Sequence, residues 1–326
     1  MRIVTADDLA RVLSYGALID ALADAFRADI AVPERHARMI PQPGGSEAKL
    51  LLMPAWTNSR TDSGERLVGC KVVSVYPDNA KLGKPSVYGS YLLMSGETGE
   101  PLALIDGTAL TAWRTAAASA LAARYLARDD ASHLVMVGAG ALSSHLIRAH
   151  STVRPITRVT LWNRTRSRAV STAFALSASG IEPLIADNLE AAVRTADIVS
   201  CATLSAAPLI QGKWLKKGAH VDLVGAFTPK MREADDDAVR RARVYVDVRA
   251  SAPKGSGDIA IPLKKKIIKP SDIQGDLFEL CRGKVKGRRR KDEITLFKSL
   301  GTAIEDLAAA MLVWRRLFDR NLGYSF

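Results

Sequence analysis

No run of apolar residues in this sequence reaches the length of about 18 that a membrane span requires. The first residues, MRIVTADDLARVL, lack the apolar core of a secretory signal, and Thr5-x-x-Asp8 reads as a helix start. Cysteine is scarce: Cys70, Cys201 and Cys281 are the only three, with no Cys-x-x-Cys or other metal-like spacing. An odd number of thiols in apolar contexts argues against a disulfide framework and predicts reduced, buried cysteines without a metal. No internal repeat or low-complexity tract is present, and no RNP-like aromatic motif or zinc finger accompanies the basic residues. These absences predict a soluble cytoplasmic protein with neither nucleic acid nor membrane as partner.

What is present is an ordinary globular balance, 48% apolar and 25% charged residues over 326 positions, enough for two domains with buried cores. The formal net charge of +12 is concentrated late, at Lys264-Lys265-Lys266 with Lys269 and in the stretch 284–291. Without a recognition module beside them, both patches read as solvated loop or helix faces.

The hydrophobic period divides the chain. Residues 1–32 read as two short helices, the second from Gly16 to Ala31 with apolar positions 18, 22, 25 and 26 on one face. Lys49 to Trp56, Leu67 to Tyr76, Ser86 to Ser95 and Leu102 to Asp106 then read as strands, the last two joined through Gly96-Glu97-Thr98-Gly99. Strands without long helices between them predict an antiparallel sheet or open barrel. An Ala-rich helix over 107–126 follows. From His133 strand and helix alternate, with strand-like runs at 133–137, 158–162, 196–200, 219–224 and 244–247, which predicts a parallel sheet of Rossmann type. From Ile294 the chain is expected to finish on a helix, Gly301 to Asp319. The fold class is α/β: a Rossmann domain over 117–304, and an α+β substrate and dimerisation domain made of 1–116 with 305–326.

Gly138-Ala139-Gly140-Ala141-Leu142-Ser143 follows an apolar run and opens a helix, the context a dinucleotide fingerprint needs. Gly138 permits the tight turn, Gly140 lets backbone approach a pyrophosphate at the helix N-terminus, and Ser143 replaces the third glycine. About 20 residues later, NAD enzymes carry an acid for the ribose 2′-hydroxyl. This chain has Asn163 there, followed by Arg164, Thr165, Arg166 and Arg168, so NADP(H) is favoured and NAD(H) is the alternative. Lys71 within a strand and Arg114 within an Ala-rich helix stand out as charges in apolar settings. On residue type alone, a lysine snorkelling to water and a solvated helical arginine are the favoured explanations.

VGCKVVSVYPDN, the segment GKPSVYGSYLLMSGETGEPLALIDGTALTAWRTAAASALAARYLA, LVMVGAGA, LWNRT and ITLFKSLGTAIEDLAAA together resemble the ornithine cyclodeaminase/mu-crystallin family. The resemblance implies a homodimer formed through the sheet domain, with the Rossmann domain inserted before the closing helix. It places a substrate-carboxylate cluster on Lys71, Arg114 and Arg38, with Arg35 close by as the alternative to Arg38. Such a cluster would fix the α-carbon against a nicotinamide, and Lys71 would supply the proton that accompanies hydride transfer. Nucleotide contacts fall by the same resemblance on Ser86, Thr115, Ala141, Leu142, Asn163, Thr203, Val224 and Ser299.

Two positions depart from the cyclodeaminases of the family. Phe227 stands where they resemble one another in carrying an Asp, and Leu51 where they carry a Glu that meets the ornithine side chain. Without these acids the resemblance points to ketimine reductases, which reduce Δ1-pyrroline-2-carboxylate or Δ1-piperideine-2-carboxylate to L-proline or L-pipecolate. Three alternatives stay open: a cyclodeaminase that uses another acid such as Asp222 or Glu233, an amino-acid dehydrogenase of alanine type, and an NADPH-dependent small-ligand binding protein.

Overall fold

Alternation of apolar and polar residues in the first part of the chain becomes a seven-stranded sheet whose one face is buried. The computed structural model describes residues 1–60 and 64–318. These form two compact units, Met1–Thr115 with the segment from Thr302 onward, and Ala116–Gly301.

The first unit begins with β1 (Arg2–Val4), α1 (Ala6–Val12) and α2 (Tyr15–Arg27). Thr5 caps α1 in a capping box, its hydroxyl accepting from the Asp8 N–H while the Asp8 carboxylate accepts from the Thr5 N–H. Leu18, Leu22, Ala25 and Phe26 bury one face of α2, as their spacing predicts. Then come β2 (Ile30–Ala31), β3 (His36–Ile40), β4 (Ala48–Thr57), β5 (Leu67–Val75), β6 (Val87–Ser95), β7 (Pro101–Asp106) and α3 (Gly107–Leu126). The sheet runs β1-β7-β6-β5-β4-β2, with β3 also on β4. It is antiparallel except for β1, which lies parallel to β7 and makes the sheet mixed. β1, β2 and β3 are additions to the expected set of strands.

The second unit takes α3 from Ala116 onward, where the small residues Ala116 to Ala118 and Ala120 to Ala123 (with Leu121) are fully buried. Its further elements are β8 (His133–Val137), α4 (Ser143–Val153), β9 (Arg158–Trp162), α5 (Arg166–Ser177), β10 (Leu184–Ile185), α6 (Leu189–Thr195), β11 (Ile198–Cys201) and β12 (His220–Leu223). α7 (Asp236–Arg241), β13 (Ala242–Val246), α8 (Ala252–Gly255), α9 (Gly257–Lys264), β14 (Ile273–Asp276), α10 (Leu277–Cys281) and β15 (Ile294–Lys298) complete it. The eight strands are parallel in the order β10-β9-β8-β11-β12-β15-β13-β14. From β8 the chain goes outward to β9 and β10, then returns to lay β11 on the other side of β8. The crevice beyond the carboxyl ends of β8 and β11 is therefore the switch point at which such sheets bind ligands.

The segment from Ile294 corrects an expectation. Ile294–Lys298 is a fully buried strand inserted between β12 and β13, and the closing helix α11 is Ala303–Phe318. Three apolar residues in a five-residue run, Ile294, Leu296 and Phe297, carry no period that separates strand from helix. The remainder of the expected helix, from Asp319, lies outside the described residues. Within the first unit α11 packs on α2, β4, β5 and β6. The basic stretch 284–291 is also not merely a solvated face: Arg288 is part-buried and donates to the carbonyls of Leu126, Glu293 and Ala219. Among the described residues no helix is long and apolar enough to cross a membrane. Of the three thiols, Cys201 and Cys281 are buried and Cys70 is half-buried.

A polar cluster lies inside the second unit's core. Asp222 on β12 accepts from the Ser200 hydroxyl at 2.7 Å and bonds His150 on α4 at 3.1 Å, all three with no solvent exposure. His220, also fully buried, bonds the Thr295 hydroxyl at 3.0 Å. That hydroxyl gives its hydrogen to the Leu126 carbonyl, so the His220 Nδ1–H is the donor. Burial pushes the His220 ring down to about 3, against an ordinary value of about 6.5. Between those values the unfolded chain binds a proton that the folded one refuses. Stability therefore falls as pH drops from about 6.5 toward 3, by up to about 1.4 kcal/mol per pH unit from this group. Urea unfolding of His220→Gln should show a flatter pH dependence of stability in that window; an unchanged slope would remove His220 as a cause.

Candidate active site

On β5 the alternation places Gly69, Lys71 and Val73 on the buried face and leaves Val72 exposed. Lys71 is only 2% exposed, and an ammonium so buried requires a counter-charge. Its Nζ lies 2.8 Å from the Asp306 carboxylate and 3.4 Å from the Thr111 hydroxyl. Arg114, one helical turn beyond Thr111 on α3, donates from Nε to Asp306 at 2.9 Å and from Nη1 to Glu305 at 2.5 Å. Glu305 and Asp306, in the first turn of α11, have no solvent exposure. Asp306 thus bridges both basic residues, and the four charges balance.

Burial pushes Lys71 down to about 8 and the neighbouring Arg114 adds to this, while Asp306 and Glu305 hold the ammonium up. For Arg114 burial works against the charge, but the two carboxylates outweigh it and raise the guanidinium further. Lys71 therefore remains largely protonated at neutral pH and sits close enough to its transition to give that proton up.

Sequence reasoning missed Glu305 and Asp306. The signal was available: two adjacent acids flanked by Ala303-Ile304 and Leu307-Ala308-Ala309-Ala310, a context in which unpaired carboxylates are rarely buried.

The structure does not bring Arg38 into this cluster. Arg38 pairs with Leu50 and Leu50 with Ser74, whereas Lys71 pairs with Met53 three residues away on β4. An odd offset in a regular ladder puts Arg38 on the opposite face of the sheet. Its side chain is exposed and donates to the Ala37 carbonyl. Arg35 lies one residue before the first β3 pair, His36 with Leu52, and is exposed. Leu51 pairs with Val73 and shares the face of Lys71. The remaining first-unit candidates are Ser86, half-buried with its carbonyl accepting from Tyr76 N–H, and Thr115, buried on α3.

In the second unit, Gly138 ends β8 with φ +109°, a conformation that disfavours side chains, and an added Cβ would lie 2.6 Å from the Ala202 carbonyl. Gly140 differs: a Cβ there would meet nothing within 4 Å. Its smallness therefore serves no packing inside the protein, as expected where backbone must admit a ligand. Ala141 is exposed and Leu142 caps α4 without a side-chain hydrogen bond, leaving N–H groups for an anion. Ser143, buried, hydrogen-bonds the carbonyls of Gly138 and Gly140 and shapes the turn from inside. These features fit a dinucleotide.

Asn163 braces the same turn, its Oδ1 accepting from Ala139 N–H at 3.2 Å and its Nδ2 donating to the Thr165 carbonyl. Arg164, Thr165 and Arg168 are exposed beside it, whereas Arg166 is paired with Asp187. At the ends of β11 and β12, Glu233 ties two loops together. Its carboxylate accepts from the N–H and hydroxyl of Thr203 and from the N–H groups of Gly225 and Ala226, next to Val224. Ser299, at the end of β15, donates its N–H to the Leu223 carbonyl. Thr203, Val224 and Ser299 thus stand at the carboxyl ends of adjacent strands. Asp222 and Glu233 are both fully buried and committed to protein donors, and Phe227 is 54% exposed.

The chain matches the ornithine cyclodeaminase/mu-crystallin family over residues 2–321. It is 36% identical over 323 residues to a Δ1-pyrroline-2-carboxylate reductase of Colwellia psychrerythraea, covering 98% of this chain and 100% of the relative. Among solved structures, that of the Thermococcus litoralis Δ1-pyrroline-2-carboxylate reductase in complex with NADH and L-proline superposes with TM-score 0.90 at 35% identity, covering all of both chains. An archaeal alanine dehydrogenase dimer with bound NAD superposes with TM-score 0.88 at 28% identity, over 100% of this chain and 98% of that one. On its residues, its fold and this match across nearly its whole length, the chain belongs to the ornithine cyclodeaminase/mu-crystallin family.

Proposed function

We propose that this protein is an NAD(P)H-dependent reductase of a small cyclic imine acid, converting Δ1-pyrroline-2-carboxylate or Δ1-piperideine-2-carboxylate to L-proline or L-pipecolate. The observation that carries the reading is a buried Lys71 and Arg114 on a sheet face where Leu51 replaces a carboxylate. A cyclodeaminase must hold the cationic side chain of ornithine and activate water. Leu51 and Phe227 do neither, and the two alternative acids are fully buried: Asp222 bonds Ser200 and His150 through one oxygen, and Glu233 uses both of its oxygens for Thr203, Gly225 and Ala226.

Reduction needs less. The substrate carboxylate is held by the basic residues, a hydride adds to the imine carbon, and a proton adds to the nitrogen. A nicotinamide dinucleotide, held by its pyrophosphate at the turn of Gly138 and Gly140, would supply that hydride. Lys71 donates the proton and recovers it from solvent. Because Asp306 and Glu305 already neutralise Lys71 and Arg114, the additional positive charge for the substrate carboxylate comes from Arg35. The protein acts as a homodimer. The outer face of the first unit's sheet, with Val72 38% and Tyr88 46% exposed, provides the apolar surface for a second copy.

Spectrophotometry of NADPH oxidation should show turnover of both cyclic imines and at most trace ammonia release from ornithine with NAD. Ornithine deamination at a comparable rate would contradict the reading, and turnover of neither class with NADPH still bound would make the protein a binder. Arg35→Ala should lower kcat/KM by about tenfold or more, the loss of a charge-assisted contact of about 1.4 kcal/mol or above, while the melting temperature of this exposed position stays put. Arg38→Ala should remain within about twofold of the parent; the reverse ranking would restore Arg38 to the clamp.

NADP(H) is the preferred cofactor, with Arg164 and Arg168 meeting the 2′-phosphate in place of an acid. Asn163→Asp keeps the acceptor for Ala139 N–H but sets a carboxylate at the ribose, so the ratio of KM values should swing toward NADH. A parent enzyme that uses NADH equally well would remove this assignment.

A further inference from the structure

The mechanism above uses Lys71 and Arg114 but gives no task to the carboxylate that joins them. Asp306 accepts from Lys71 Nζ at 2.8 Å and from Arg114 Nε at 2.9 Å, and has no solvent exposure. Glu305 takes the Arg114 Nη1 bond, so each acid of the pair has a distinct partner set. Among the described residues, Asp306 is the one carboxylate within ion-pair distance of the lysine.

We propose that Asp306 is the positioning residue of the reductase, fixing the Lys71 ammonium and the Arg114 guanidinium in one rigid unit and keeping Lys71 charged for proton donation. This rests on the reductase reading for its kinetic half. The geometry supports it from every side. α3 contributes Arg114 and the Thr111 hydroxyl, whose own hydrogen goes to the Gly107 carbonyl. Thr111 therefore offers Lys71 a lone pair without competing for Asp306. α11 contributes Glu305 and Asp306, and β6 contributes Tyr91, the register partner of Lys71, fully buried. β4 sets Met53 opposite, without charge. On β5 itself Cys70 is adjacent in sequence and points to the other face. Against this surround, burial and Arg114 drive the ammonium toward the neutral amine, and the carboxylates oppose them, Asp306 more than Glu305. Removing the negative charge of Asp306 leaves only the weaker opposition of Glu305 to the first two.

The sign follows. Activity that needs protonated Lys71 falls on the alkaline side as the ammonium is lost. With Asp306 made neutral, the loss begins at lower pH. Asp306→Asn keeps shape and one acceptor oxygen. The kcat/KM profile for the imine acid should keep its form while its alkaline limb moves acidward by about one pH unit or more, with NADPH affinity, read by fluorescence, unchanged.

A lowered kcat/KM whose alkaline limb stays in place would reduce Asp306 to a structural residue and overturn the proposal. So would unaltered activity.

The second measurement needs no turnover and so separates this proposal from the reductase reading. Lys71→Met leaves the buried network with one unbalanced negative charge, Arg114 facing both carboxylates alone, and thermal unfolding should show a lowered melting temperature. Adding Asp306→Asn to Lys71→Met removes the unbalanced charge, and the double variant should regain most of the lost stability. Additive losses would mean that the two residues are not coupled, and the proposal would fail even if the parent reduces imines. If Asp306→Asn alone does not fold, the double variant still decides the question. If the parent reduces no imine, recovery in the double variant leaves the coupling standing while the kinetic role falls with the reductase reading.

Discussion

A four-residue ion network with almost no access to water, Lys71 and Arg114 against Glu305 and Asp306, is the constraint on which the first unit depends. Each charge would be costly to bury alone, and each is tolerated because its partners are within hydrogen-bond distance. The network joins a strand, the helix that follows the sheet and the last helix of the chain, elements more than two hundred residues apart in sequence in the case of Lys71 and Asp306. Such a contact orients Lys71 more strictly than packing alone, since a methylene stem permits many rotamers and an ion pair with a hydrogen-bonded acid permits few. Catalysis by a proton donor requires that orientation.

The second unit uses the same device differently. At the carboxyl ends of its strands, buried carboxylates accept backbone N–H groups and so hold loops in place. Glu233 gathers Thr203, Gly225 and Ala226, Asp258 gathers the N–H groups of Glu233 and Ala234, and Asp247 gathers those of Leu300 and Gly301. Lys298 lies 3.3 Å from Asp258 and 3.7 Å from Glu233 and offsets their charge. The loops beyond β11, β12 and β15 are thus held in place by the protein's own buried acids, as a site that binds a dinucleotide at a switch point demands. Acids with this task are unavailable for chemistry. That is why the absence of a carboxylate at Leu51 and Phe227 bears on the reaction.

Much of this is legible in the sequence. The period of Leu18, Leu22 and Phe26, the glycine turn at Gly138 and Gly140 and the strand–helix alternation after His133 are local signals, and local physics writes them into sequence. β15 escaped because a five-residue run with three apolar positions has no period to measure, and β3 because HARMI has no clean alternation. The site was half legible. Lys71 and Arg114 stood out as charges in apolar surroundings, yet nothing local said that Glu305 and Asp306 would meet them. The displacement of Arg38 to the far face is a matter of register, which depends on how two strands pair and not on either alone.

The account's central claim is that the substrate's carboxylate is bound in the first unit by the rigid basic pair together with Arg35, with its ring against Leu51. A crystal structure of the protein with L-proline and the oxidised cofactor tests this most directly. The account predicts the proline carboxylate within hydrogen-bond distance of Arg35, Arg114 and Lys71, with the Lys71–Asp306 contact preserved. A carboxylate bound by Arg38, or bound where Lys71 and Arg114 do not touch it, would contradict it.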